Sequence, residues 1–254
     1  MLPEKIYKYV SFCTQSLTNL KDGSLYFSIP SQFNDPFDCD LPIAYDMSFK
    51  DVDKLRAIIS SDEDMPDVGR EQLNEMSDAD FYEMIMRLLN TNITSGLKGK
   101  GVCCFARYPN NLLMWSHYSQ KHTGFCLEFD TKFSPFNEAR KVNYVQHFPK
   151  LNVEELLVYN FSSVFTLLRT KCLDWGYEEE WRCIHVESPK VYGYQQESLT
   201  GVYFGSEMGV SAIEIICLIL KGQNSNVKFW RGKKCIDRFG VEFDEFSYVA
   251  HLNK

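Results

Sequence analysis

The chain has 254 residues, a formal charge of −7 and 44% hydrophobic content, which is enough apolar mass for one sizeable core. The negative balance argues against nucleic-acid binding through neutralised phosphates alone, although KFWRGKKCIDR at 228–238 reads either as a solvated hairpin or as a local anion patch. No window holds the roughly 18 unbroken apolar residues of a membrane span, MLPEKIYKY lacks a secretory apolar run, and nine cysteines without a C-x-x-C pair give neither a disulfide framework nor a Cys₄ zinc site, so a cytoplasmic, reduced protein is expected.

In chain order, YKYVS leads into CTQSLTNLKDG, a short helix stopped at Gly23. LYFSI then alternates as a strand that Pro30 ends. Residues 46–100 are acidic and carry apolar side chains at helical spacing: Leu55, Ile58 and Ile59, then Phe81, Met84, Ile85, Leu88 and Leu89. Ser77 stands three residues before Asp80 as a cap. The spacing predicts a helical insertion or lid within a single domain of residues 1–254. GVCCFA reads as strand, NNLLMWSHYS as helix, and GFCLEFD and KVNYVQ as strands. Asn152 with Glu155 forms a capping box for a helix running to about Leu168. EWRCIHV and GVYFG are strands, the apolar run at 212–220 fits either state, and VKFW with VEFDEF reads as a hairpin. Short antiparallel-looking strands with irregularly placed helices predict an α+β fold rather than a doubly wound sheet.

Three stretches hold candidate chemistry. In SIPSQFNDPFDCD the two prolines fix the backbone, giving either a packed turn or a cleft wall with Ser28, Asn34 and Asp35 as polar contacts. Asp35, Asp38 and Asp40 are a weaker divalent-metal candidate, because their spacing matches no known loop. In LMWSHYSQKHTGFCLEF, Trp115 and Tyr118 are helical neighbours beside His117, serving either the core or the stacking of a flat ligand. His117 and His122 do not share a helical face, which disfavours zinc. In WGYEEEWRCIHV, a strand beginning at Tyr177 or Glu178 puts Glu178, Glu180 and Arg182 on one face and Glu179, Trp181 and Cys183 on the other. A buried Trp181 then aims Glu180, and Arg182 orients it or depresses its pKa. The plainer alternative is a structural Arg–Glu pair.

From about Ile6 to Met208 the motifs YKYVSF, LYFSIPSQFNDPFDCD, CCFARYPNNLLMWSHYSQKHTGFCLEF, KVNYV, KCLDWGYEEEWR and GVYFGSEM follow in an order and spacing that resemble a large bacterial family of unknown function found in genomes and mobile elements. Where that family carries an arginine after the second tyrosine of its first motif, this chain has Val10, so anion binding by that arginine is not carried over. The layout is in turn similar to ADP-ribosyltransferase-like proteins, including those that modify nucleic acids in toxin and phage-defence loci. That resemblance implies a split mixed or antiparallel sheet around a cleft. It implies NAD as substrate, no metal, no membrane, and a macromolecular acceptor (nucleic acid or protein), with an antitoxin or partner subunit as a further partner. Glu180 would contact the ribose 2′-hydroxyl and offset oxocarbenium charge, and Glu178 would position or deprotonate the acceptor. Tyr9, Trp115 and Tyr118, with His117 beside them, would stack on the rings. Ser28, Asn34 and Asp35 would line the pocket, Lys8 would reach the pyrophosphate, and Arg182 would orient Glu180. Two alternatives compete: a non-catalytic nucleotide- or partner-binding module, and a metal-dependent hydrolase or nuclease on Asp35, Asp38 and the late glutamates.

Overall fold

Residues 1–61, 66–158, 160–185, 187 and 190–249 are described by a computed structural model of the chain. Its largest sheet has five strands in the order Lys5–Val10, Phe125–Asp130, Leu199–Phe204, Lys228–Lys234 and Val241–Phe246. All neighbours are antiparallel except Leu199–Phe204 with Lys228–Lys234, whose parallel pairing is bridged by the helix Val210–Lys221. That helix settles the ambiguous run at 212–220: one side meets the sheet through Ile213, Ile216, Cys217 and Leu220, while Ile215 and Leu218 stay exposed. Period-two alternation sends Ile6, Phe125, Leu127, Phe129, Val202 and Phe204 into the main core with this helix. Each fully buried phenylalanine there contributes on the order of 2–3 kcal/mol. The opposite face of the same strands carries Lys5, Tyr7, Tyr9, Cys126, Glu128, Asp130 and Tyr203 in register.

The helix Thr14–Lys21 ends at Gly23, whose φ of 58° is the left-handed conformation that glycine adopts without penalty. The strand Ser24–Phe27 follows, and Pro30–Gln32 turns as a 3₁₀ helix. A second sheet places Trp181–His185 between Gly101–Phe105 and Arg140–Lys141. Val186, the last residue of the expected strand, lies outside the described residues. An antiparallel bridge, Tyr7 to Ala106, joins the strands Lys5–Val10 and Gly101–Phe105 of the two sheets, which also share the main core through Phe105 against Phe129. The architecture is thus mixed α+β with several open sheets.

Among the described residues of 46–100 are the helices Val52–Ser60, Asp67–Glu75 and Asp78–Leu97. The Ser77 hydroxyl accepts the Asp80 amide at 3.2 Å, the N-cap read from sequence. Leu55, Ile59, Phe81, Ile85, Leu89 and Ile93 bury themselves against Leu151, Val153, Leu156 and Leu167, making a second core. Where one helix to Leu168 was expected there are two short ones, Val153–Leu157, capped by Asn152 on the Glu155 amide at 2.9 Å, and Val164–Leu167. Among the described residues no helix is long and apolar enough to cross a membrane.

Candidate functional site

Residues of both sheets line a cleft of about 450 Å³, within the range of small-molecule sites. The first strand contributes Tyr7, Lys8 and Tyr9, and Gly101–Phe105 contributes Val102, Cys104 and Phe105. The second strand and its loop add Tyr26, Ser28, Phe33, Asn34 and Asp38, and the helix Leu112–Tyr118 adds Met114, His117 and Tyr118. Lys171, Glu178 and Glu180 close the wall.

The charged wall is a buried network of three carboxylates and two cations. Arg182, with no exposed surface, grips Glu180 in a bidentate pair, Nε to Oε1 at 2.7 Å and Nη2 to Oε2 at 2.9 Å. The same guanidinium reaches Asp38 Oδ1 at 2.7 Å and donates to the Leu168 carbonyl at 2.8 Å. Lys171 Nζ lies 2.6 Å from Glu178 Oε2, 3.2 Å from Asp38 Oδ2 and 3.4 Å from Glu180 Oε2, with the Trp175 ring 4.8 Å away. Tyr118 donates its hydroxyl to Glu178 Oε1 at 2.6 Å. The Glu180 backbone is pinned as well: its amide donates to the Tyr144 hydroxyl at 2.8 Å, and its carbonyl accepts the Val142 amide at 2.9 Å. KVNYV therefore serves to hold Glu180 in place.

The two glutamates differ in proton affinity. Burial pushes Glu178 up, an effect that Lys171 opposes and the nearby Glu180 charge reinforces. Burial alone would lift Glu180 too, but the Arg182 guanidinium, with Lys171 behind it, pulls it down to about 2. Burial disfavours the Lys171 ammonium, yet Glu180, Asp38 and Glu178 together hold it well above its ordinary value. Burial and then the Glu180 charge push the Cys104 thiol well up, so it stands in the cleft as a neutral group and not as a thiolate nucleophile.

Of the residues singled out from sequence, Lys8, Tyr9, Ser28, Asn34, His117, Tyr118, Glu178 and Glu180 line this one cleft. Three do not. Trp115 is fully buried, packed edge-on against Tyr9 and donating Nε1 to the Pro109 carbonyl at 2.7 Å; it supports the wall and is out of a ligand's reach. Asp35 uses its carboxylate to accept the Phe37 amide at 3.0 Å, closing its own turn. Arg182 stands behind Glu180 and touches it instead of the cleft space. Tyr9 lines the wall with its ring, while its hydroxyl is spent on the Tyr108 carbonyl at 2.9 Å and the Asn111 amide at 3.3 Å.

Strand alternation does not bring Glu178 and Glu180 together. Leu173–Glu178 is a 3₁₀ helix, Glu179 is left-handed at φ 43° and exposed, and the strand begins only at Trp181. The left-handed residue reverses the chain so that both flanking carboxylates turn onto Lys171. Trp181 does anchor the rear, buried in the main core. Lys171 and Asp38 carry the network and were not foreseen in these roles. Asp35, Asp38 and Asp40 do not converge: Asp38 alone turns inward, to Arg182 and Lys171, whose charges occupy the centre where a divalent ion would have to sit.

Fold and site together define a mixed α+β protein with a polar-aromatic cleft between open sheets. Residues 114–183 match the model of a family described as a protein of unknown function, DUF2971, and that stretch holds His117, Tyr118, Lys171, Glu178, Glu180 and Arg182. No curated protein and no solved structure matches the chain.

Proposed function

We propose that the cleft binds NAD and that the chain transfers its ADP-ribosyl group to a macromolecule, protein or nucleic acid. The supporting observation is the convergence of Glu178 and Glu180 on one ammonium in an aromatic-walled cleft, with their proton affinities pushed apart. In the reaction the bond from ribose C1′ to the nicotinamide nitrogen breaks, and its electron pair leaves with nicotinamide. The acceptor's nucleophilic atom bonds to C1′ and gives up its proton. Glu180, held as an anion, offsets charge developing on the ribose, and the lone pair left on its Oε1 accepts the 2′-hydroxyl. Glu178, the more basic carboxylate, takes the acceptor's proton.

Lys8 donates to the Cys104 carbonyl at 3.2 Å and retains donors for a pyrophosphate oxygen. Tyr118 and His117 flank the ring position, and Ser28 with Asn34 face the ribose or carboxamide. Calorimetric binding of NAD, followed by release of free nicotinamide from labelled NAD with cell extract, tests the reading. Glu180→Gln, confirmed folded by circular dichroism, should lower release at least 100-fold. Absence of NAD binding would remove the proposal.

A second reading has its own observation. Arg182 engages both Glu180 oxygens, as in a purely structural pair. On that reading the cleft recognises a nucleotide without turnover, and NAD binds with no nicotinamide released by wild type.

A further inference from the structure

The large sheet carries another hydrogen-bonded carboxylate, half-buried on the face away from the main core. Glu128 stands in the second strand of that sheet, opposite Tyr7 and Gly201. Its Oε2 accepts the hydroxyls of Tyr203 at 2.8 Å and Tyr7 at 3.2 Å, and its Oε1 accepts Thr200 at 2.6 Å. A carboxylate offers about four lone-pair positions, so one remains, on Oε1. Glu128 is partly exposed and its side chain lies across Gly201, where a Cβ would stand 3.4 Å from Oε1.

Around it lies an aromatic shelf. Tyr203 and Trp230 stack at 5.6 Å and 6°, and Tyr7 meets Tyr203 edge-on at 5.8 Å. Burial first and then Glu128 raise the Tyr7 hydroxyl, and burial with the hydrogen bond to Glu128 raises that of Tyr203, so both stay protonated donors at neutral pH. Three hydroxyls satisfy Glu128 without cancelling its charge. The cations nearby are committed: Lys5 to Asp130 at 3.2 Å and Thr200 at 3.0 Å, and Lys228 to Glu245 at 3.4 Å. Glu245 faces the same side, opposite Trp230. Tyr7 also lines the cleft, so the shelf is continuous with it.

We propose that this shelf binds the guanidinium of an arginine presented by a partner polypeptide. Guanidinium is a flat cation that stacks on aromatic rings while its edge donates to a carboxylate, the pairing that Glu128 offers with the partly exposed rings of Tyr7 and Trp230, the buried Tyr203 backing both. With Asp130 and Glu245 paired to Lys5 and Lys228, Glu128 is, among the described residues, the carboxylate of this face without an ion-pair partner, which favours a cation over a phosphate. The assignment goes beyond the transfer reading and stands without it, since binding requires no NAD.

The test is calorimetric titration of the full chain, without nucleotide, using a capped Gly-Gly-Arg-Gly-Gly peptide and its citrulline analogue, which keeps the shape and loses the charge. Citrulline should bind at least 10-fold more weakly. Glu128→Gln and, independently, Trp230→Ala should each cost the arginine peptide about 10-fold, with folding checked by thermal unfolding. His117→Ala, at the cleft rim, should leave the affinity unchanged. Absence of binding, equal affinity for the two peptides, tighter binding of a single-stranded oligonucleotide, or equal loss in His117→Ala would overturn the assignment. Failure of nicotinamide release would leave it standing.

Discussion

In the cleft, Glu178 and Glu180 are held by Lys171 and Arg182; on the open sheet face, Glu128 is held by the hydroxyls of Tyr7, Tyr203 and Thr200. Both arrangements satisfy carboxylate oxygens, but only the first sets opposite charge in direct contact; at Glu128 the Lys5 ammonium stands one hydroxyl away, behind Thr200. Cations fix the charge state and the geometry of the glutamates, and they do so by taking five ionised groups out of water. Hydroxyls leave the negative field in place, directed outward. The chain therefore uses one residue type in two ways, once as a locked internal charge and once as an open acceptor.

The contrast predicts unequal costs. The largest effect belongs to Arg182→Met, which strands Glu180 and Asp38 without their guanidinium. It should destabilise the fold by about 3–5 kcal/mol in urea denaturation, and a loss under ~1 kcal/mol would erase the distinction between the two regions.

Next comes acid. Glu180 falls from an ordinary 4.5 to about 2 in the folded chain, so its contribution is complete above 4.5 and is lost as pH drops through 2. The magnitude at neutral pH is on the order of 3 kcal/mol. Glu178, shifted upward, acts with the opposite sign and weakens the fold as pH rises through its own titration. Urea midpoints followed from pH 5 to 2.5 should fall steeply in wild type and less so in Glu180→Gln. Parallel curves would place the acid lability elsewhere.

The smallest effect is on the sheet face, where Tyr7→Phe or Tyr203→Phe removes one of three donors from a partly exposed carboxylate. Each should cost about 1 kcal/mol by thermal unfolding. A loss as large as that of Arg182→Met would mean that Glu128 is as tightly locked as Glu180.

Much of this was legible in the sequence where local pattern decides structure. The helical spacing at Leu55, Ile59, Phe81, Ile85 and Leu89 became the second core, although Leu88, on the same list, is half exposed. The aromatic and carboxylate motifs did meet in one cleft. The misplacements came from features that local pattern does not encode. A left-handed Glu179 is invisible to strand alternation, which treats every residue as extended. Lys171 sits in an unremarkable RTKCLDW, and nothing within that window says that a lysine will be buried there. Its partners arrive from Asp38 and from the turn after Trp175. Trp115 has the side chain of a stacking platform, and only tertiary packing shows it enclosed behind Tyr9.

Asp38 and Arg182 lie 144 positions apart and meet only when the whole fold has closed. Before that closure each ionised group of the network keeps its hydration shell, and no partial subset repays the loss of that shell. Assembly of the cleft wall should therefore be all-or-none and late, a checkpoint passed only after both sheets have docked. Chain halves separated between Asp38 and Lys171 would recreate the charge cluster only by reassociating.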